Sequence, residues 1–298
     1  MRAIFVDCTP ELARVIEQGG LPVPATVEIN EGSPTEKELI DLCRGKDVIL
    51  VEHTAVPPAV LDACPAVQAI VFMGTGAGTY VDLDDAARRG VKVCTTPGYG
   101  DRSVAEHAFA LMFSAARGIA GMDRGIRAGT WTPAGGLQLK GEKLAVVGLG
   151  GIGGCMADLA LGIGMEVAAW NRTPRDHPAY VAELDDALQG ASVVSLHLSL
   201  TAETIGILDG RRLMLPNRGF ILVNTARAGL VDEPALLRML AEGQIGHAAL
   251  DVFPQEPLSP ASPYRELENA TLTAHAAYMT DAAYKELWLR TLNAYHAL

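Results

Sequence analysis

Apolar positions along the chain fall into two alternating series. From the N-terminus, short aliphatic or β-branched runs, AIFVD, ATVEI, DVILVE, VQAIVFM and VKVC, are separated by stretches with helical spacing. Strands that alternate with helices predict parallel crossover units packed on both faces. This first unit closes near Pro97-Gly98. Next comes SVAEHAFALMFSAARGIAGMDRGIRAG, whose apolar residues recur at three and four positions. That spacing predicts one long helix, longer than packing within a domain requires, and therefore a subunit contact. A Gly-rich connector from Gly129 to Gly141 leads into a second series: KLAVVGLG, MEVAAWN, ASVVSLHL, GFILVNTA, HAALDVF and ATLTAH. Six such runs predict a full doubly wound parallel sheet. The tail from Thr280 to Leu298 reads as one helix that packs back on the first unit. The pattern as a whole predicts an α/β chain of two Rossmann-like or flavodoxin-like domains, the larger a doubly wound parallel sheet. Their boundaries are 1–98, completed by the C-terminal helix 280–298, and 99–279.

Composition narrows the partners. A formal net charge of −11 argues against a nucleic-acid or anionic-membrane surface, since both need clustered Lys and Arg. An anionic ligand must then be held by local groups. The five cysteines follow no metal-ligating spacing, so no metal site is expected, and they fit thiols in a reducing compartment. The N-terminal MRAIFVDCTPELARVIEQGG reads as a strand and a helix ended by Gly19-Gly20, without the apolar core of a secretory signal. A cytoplasmic location is expected. The apolar run around Leu144 is interrupted at Asp158 and Glu166 and is too short for a membrane span.

Gly148-Leu149-Gly150-Gly151-Ile152-Gly153 fits GxGxxG between a strand and a helix. The first glycine permits a tight turn, the second lets backbone approach a pyrophosphate, and the third lets helix and strand pack closely. The helix N-terminus adds N–H groups and positive partial charge. The next strand ends in Asn171-Arg172-Thr173. An NAD site usually places Asp or Glu there for the ribose diol, whereas Arg attracts a 2′-phosphate. NADP is accordingly favoured over NAD.

Three polar residues stand just beyond strand ends, where open α/β sheets bind ligands: Arg227, Glu256 and His275. Reduction of a carbonyl by hydride needs a proton donor, for which His is suited; a carboxylate orients it, and Arg binds a substrate carboxylate in bidentate fashion. Taken singly, each admits a plainer reading: a core or capping histidine, a solvated loop acid, a surface charge.

GLGGIG, SLHLSLTAET, NTARAGLVDE, ALDVFPQEPL and TAH, in this order, resemble the D-2-hydroxyacid dehydrogenase family, and DLDDAARRGVKVCTTPG followed by SVAEHAFALM is similar to its hinge and dimerisation helix. The likeness runs from about Gly74 to the C-terminus. It implies NAD(P)-dependent reduction of a 2-keto acid to the D-2-hydroxy acid, with His275 as acid/base, Glu256 as its partner and Arg227 as substrate anchor. It further implies that His197, Thr204, Thr225, Ala226 and Asp251 lie around the cofactor, and that the loop Gly74-Thr75-Gly76-Ala77-Gly78 offers backbone N–H groups to the substrate. A cleft between the domains and a homodimer through the cofactor domains follow from the same likeness. The strand end of the NADP type suggests glyoxylate or hydroxypyruvate. 3-Phosphoglycerate is the alternative substrate, with Arg102 or Lys92 to hold its phosphate. A dinucleotide-sensing regulatory protein on this fold is the alternative class. The sequence departs from the family pattern in three places: His197-Leu198-Ser199 stands for His-x-Pro, Gly151 stands where a larger residue is common, and Thr79-Tyr80 replace an Asp-Asn pair.

Overall fold

The computed structural model describes residues 1–298, which divide into two units: Met1–Gly100 together with Met279–Leu298, and Asp101–Tyr278. The first is built on strands β1 (Ala3–Cys8), β2 (Val27–Glu31), β3 (Val48–Val51), β4 (Ala69–Phe72) and β5 (Lys92–Thr95), all parallel, in the order β2-β1-β3-β4-β5. Helices α1 (Pro10–Gln18), α2 (Glu36–Cys43), α3 (Pro58–Ala63) and α4 (Leu83–Arg88) connect them. Thr9 and Thr35 cap α1 and α2, the latter in a reciprocal capping box with Glu38.

Side chains alternate across a strand, and this sheet uses the alternation to feed two cores. Ile4 and Val6 of β1 pack with Ile49, Val51, Ile70 and Phe72 against α2 and α3. Phe5 points the other way, to Trp288, with ring centroids 6.0 Å apart. Trp288 belongs to the C-terminal helix, Asp281–His296, which packs on α1, β4 and β5 of this unit. Trp288 is fully buried, and its indole N–H donates to Pro22 O at 2.9 Å. Arg14 of α1 pairs with Asp281 at the start of the helix.

The second unit opens with α5 (Asp101–Ala116) and α6 (Ile119–Arg127), where the apolar spacing predicts a single helix. The break falls at Gly118, in the left-handed region at φ +61, where a helix cannot continue. Then follow β6 (Lys143–Val147), α7 (Gly151–Gly162), β7 (Glu166–Trp170), β8 (Tyr180–Val181), α8 (Leu184–Leu188), β9 (Val193–Leu196), β10 (Phe220–Asn224), α9 (Glu233–Ala241), β11 (Ile245–Leu250) and β12 (Ala270–Leu272), the C-terminal helix being α10. The sheet order is β12-β11-β10-β9-β6-β7-β8, again parallel. The six expected strands are present, and the two-residue β8 adds an edge too short for a sequence pattern to reveal.

The strand order reverses between β6 and β9, which makes their C-terminal ends the switch point of a doubly wound fold. The two-sided alternation of the first sheet recurs here: Leu144, Val146, Ile221 and Val223 face α5 and α7, while Ala145, Val147, Leu222 and Leu250 face α8 and α9.

Trp288→Ala removes the largest side chain that ties α10 to its unit, so it should cost about 3–5 kcal/mol of stability. Urea unfolding followed by far-UV circular dichroism measures this; an unchanged midpoint would mean that α10 contributes little to the first unit.

Candidate active site

Strands β10, β11 and β12 are parallel neighbours, so their C-terminal exits lie side by side on one edge of the sheet. Arg227 follows β10, Glu256 follows β11 and His275 follows β12. Residues up to 48 positions apart in the sequence numbering, from 227 to 275, are thereby assembled on one edge.

The His275 Nδ1 atom is 2.6 Å from Glu256 Oε2. A carboxylate accepts, so Nδ1 carries the donated proton and Nε2 is left to exchange a proton with a ligand. The other Glu256 oxygen accepts from Phe253 N at 2.8 Å, which fixes the carboxylate. Burial alone would raise the pKa of Glu256. The hydrogen bonds from His275 and the Phe253 N–H, with the charges of His275 and Arg227, outweigh burial and hold it below the usual carboxylate range. Glu256 is thus ionised at neutral pH, with each partner about one-third exposed. His275 also sits at φ +51, in the left-handed region that non-glycine residues rarely adopt.

Arg227 is partly buried, and its Nη1 donates to Ala226 O at 2.6 Å. Asn224, which opens NTARAGLVDE but has no role assigned from the sequence, shapes this turn: its Oδ1 accepts from Ala226 N at 3.0 Å and its Nδ2 donates to Arg227 O at 2.9 Å. An Asn at a strand end before a turn is the signal that marks it.

Asp251, expected near the cofactor, is fully buried. Its Oδ1 accepts from Thr273 Oγ1 at 2.6 Å and Ala276 N at 3.0 Å, and its Oδ2 from Ala277 N at 3.0 Å. The Asp251 carboxylate, which follows β11, is thus bonded to the loop after β12 that carries His275.

The glycine turn lies at the switch point. Gly148 has φ +104, and a Cβ there would stand 2.6 Å from His197 O. A Cβ on Gly153 would overlap the Gly148 carbonyl oxygen, whereas one on Gly150 would meet nothing within 4 Å. Gly148 and Gly153 are therefore packing glycines and Gly150 borders open space at the N-terminus of α7, beside Ile152. Asn171 Oδ1 accepts from Leu149 N at 3.1 Å, which secures the turn to the end of β7. His197 Nδ1 and Thr225 Oγ1 are enclosed without a protein partner at the exits of β9 and β10. Burial lowers the His197 pKa to about 4, so this ring is neutral. A tight glycine cradle, a helix N-terminus and unsatisfied polar atoms at adjacent strand ends fit a dinucleotide.

Arg172, Thr173 and Thr204 each make a contact within the protein. Arg172 pairs with Glu203, both largely exposed. Thr173 O accepts from Asn171 Nδ2 at 2.8 Å. Thr204 Oγ1 donates to Ser199 O at 2.7 Å and so folds its own loop. Where Gly151 replaces a larger residue, the Asp101 carboxylate occupies the space that a side chain would take.

The loop Gly74–Gly78 belongs to the first unit and follows β4. Gly74 N donates to Phe72 O at 2.9 Å. A Cβ on Gly74 would lie 2.7 Å from the Phe72 ring. Thr75 and Gly78 are exposed, Gly76 is half-buried and Ala77 is buried, opening a short 3-10 turn. No group of three or more His, Cys, Asp or Glu side chains is placed to hold a metal ion.

Residues 109–277 match the NAD-binding domain of the D-isomer specific 2-hydroxyacid dehydrogenases. The chain is 35% identical over 261 residues to a glyoxylate reductase of Korarchaeum cryptofilum, covering 83% of this chain and 78% of that one. It is 33% identical over 264 residues to a D-3-phosphoglycerate dehydrogenase of Archaeoglobus fulgidus, covering 86% of this chain but 50% of that one. It therefore spans about half the length of this second relative. The TT0316 protein of Thermus thermophilus superposes with a TM-score of 0.84 at 33% identity, over 98% of this chain and 94% of that one. With a glycine cradle for a nicotinamide dinucleotide and an imidazole–carboxylate pair on the neighbouring strand exits, the chain belongs to the D-isomer specific 2-hydroxyacid dehydrogenases, a family of oxidoreductases.

Proposed function

We propose that this chain reduces a small 2-keto acid of the glyoxylate or hydroxypyruvate kind to the D-2-hydroxy acid. The observation that carries the reading is the 2.6 Å bond between His275 and Glu256 at a strand exit adjoining that of Arg227. The bound nicotinamide supplies hydride. His275, protonated and oriented through Nδ1 by Glu256, donates from Nε2 to the carbonyl oxygen as it gains negative charge. Arg227 holds the substrate carboxylate and polarises the adjacent carbonyl. Asp251 sets the loop on which His275 rides, and the Thr75, Gly76, Ala77 and Gly78 N–H groups are assigned to the substrate.

NADP is the proposed cofactor, because β7 ends in Asn171, Arg172 and Thr173 with no acid. Its 2′-phosphate has to take Arg172 from Glu203. For the alternative substrate, 3-phosphoglycerate, Arg102 is the less suited anchor, being paired with Glu106 at 2.6 Å. A homodimer and a cytoplasmic location complete the proposal. The former is supported by Ile119, Ile126 and Trp131, exposed at 52%, 53% and 87%, on and beside α6. The latter is supported by five free cysteines.

A steady-state assay with NADPH and a panel of 2-keto acids tests the activity; cofactor binding without oxidation by any of them would instead assign a regulatory role. In that assay His275→Ala should lower kcat on the order of 100-fold while the Kd for NADPH, read by fluorescence, stays nearly the same. Surviving activity would move the proton donor elsewhere. Arg227→Lys keeps the charge but loses the planar fork, so kcat and KM for the keto acid should both worsen; unaltered kinetics would show another group at the carboxylate. Arg172→Ala should weaken NADPH more than NADH, and Glu203→Gln should tighten NADPH alone, by roughly threefold to tenfold. Equal effects on both nucleotides would remove the 2′-phosphate from this pair.

A further inference from the structure

His107 lies in the middle of α5, a helix that packs against β10, β11 and β12, and the proposed hydride and proton transfers do not use it. Its Nε2 is 3.1 Å from Thr273 Oγ1 and 3.6 Å from Asp251 Oδ1. Thr273 donates its one hydroxyl proton to Asp251 over 2.6 Å, so its oxygen accepts from His107 and the Nε2–H form of the ring is selected. Asp251 in turn accepts from the Ala276 and Ala277 amides through its side chain, and its main-chain oxygen accepts from His275 N at 2.8 Å.

We propose that His107 is a positioning residue for His275, acting through Thr273 and Asp251. Two constraints make the helix residue matter. His275 occupies a left-handed conformation that persists only where its surroundings over-determine it. The group that determines it is a fully buried carboxylate, whose charge must be met by donors on every side. Ala276 and Ala277 supply donors from the loop itself. Thr273 supplies another, and the His107 N–H on its oxygen adds a second tie that holds the side chain in the orientation from which it donates to Asp251. The side chain of His107 is about one-quarter exposed, so most of the link is shielded from competing water. Helix α5 thus fixes the rotamer of Thr273, Thr273 fixes Asp251, and Asp251 fixes the turn that aims the imidazole.

This proposal rests on the reading of His275 as proton donor, and its test separates the two. In the full-length protein, His107→Leu and Thr273→Val should each lower kcat for glyoxylate about tenfold, with the Kd for NADPH held within about twofold. Both should also speed hydrogen exchange of the His275, Ala276 and Ala277 amides by a similar factor. His107→Gln, whose amide N–H donates in the place of Nε2, should recover most of kcat and of the protection. The double variant should be no slower than Thr273→Val alone, because both changes cut one chain. Wild-type exchange in both single variants, a Gln variant as impaired as Leu, or additive losses in the double variant would overturn the proposal. If His107→Leu does not fold, His107→Gln and Thr273→Val decide by the same readouts, a Gln variant as impaired as Thr273→Val overturning the proposal. Absence of turnover in the wild-type protein would overturn the reading of the function, whereas amide exchange would still decide whether His107 holds the loop.

Discussion

A parallel sheet makes every strand discharge its chain at the same edge, and that constraint organises the site. The glycine turn after β6, His197 after β9, and the loops after β10, β11 and β12 are distant in sequence but share one edge because their strands run in register. The strands themselves are almost wholly apolar and buried on both faces, so they carry no chemistry of their own. Polar residues are admitted at the exits, where the ladder ends and a side chain can reach either a loop or a ligand. Arg227, Glu256 and His275 are three such exit residues, and the pairing of the last two follows from the adjacency of β11 and β12.

The cofactor end obeys the same constraint with different materials. Its close approaches are backbone to backbone, Gly148 against the His197 carbonyl and Gly153 against the Gly148 carbonyl, so glycine is dictated by packing before any ligand is considered. Gly150 alone among these borders open space, and it stands at the first turn of α7, where unsatisfied N–H groups favour an anion. The Asp101 carboxylate lies beside Gly151 at this helix N-terminus, and the Glu203 carboxylate holds Arg172 beyond β7. In a chain of net charge −11, the attraction felt by a dinucleotide comes from helix geometry and from individual basic residues, with no general basic field to help.

The parts legible in the sequence are those with strong local signals. Apolar runs mark the strands, GxGxxG marks the turn, and the ordered motifs mark the three polar residues at the exits. Dependence on local signals also explains what stays hidden. The helix pattern from Ser103 to Gly129 is continuous in its apolar spacing, and only the left-handed backbone at Gly118 shows that it is two helices. The two residues of β8 are too few for a period to register. Arg172 reads as available for a phosphate because Glu203 is 31 positions away and meets it only through the placement of two loops. Asp251 enters the sequence reading only through the family likeness, as a neighbour of the cofactor; its bonds to backbone amides of the next loop depend on the adjacency of two strands and are invisible in the sequence.

The first unit contains an independent instance of the device that holds His275. Asp7, fully buried near the end of β1, accepts from the Glu52, His53 and Thr54 amides at 2.9, 2.7 and 2.6 Å, and so clamps the loop leaving the neighbouring strand β3. Asp251, immediately after β11, clamps the loop leaving its neighbour β12 in the same manner. In both cases a carboxylate is tolerated in the interior because backbone N–H groups satisfy it, and charge-assisted bonds of this kind are stronger than neutral ones. In both cases the loop so held begins where a strand ends, which is where this architecture keeps its functional groups. A buried acid at a strand exit, bonded to the amides of the next exit, is therefore a means of giving a surface loop the rigidity of the sheet below it.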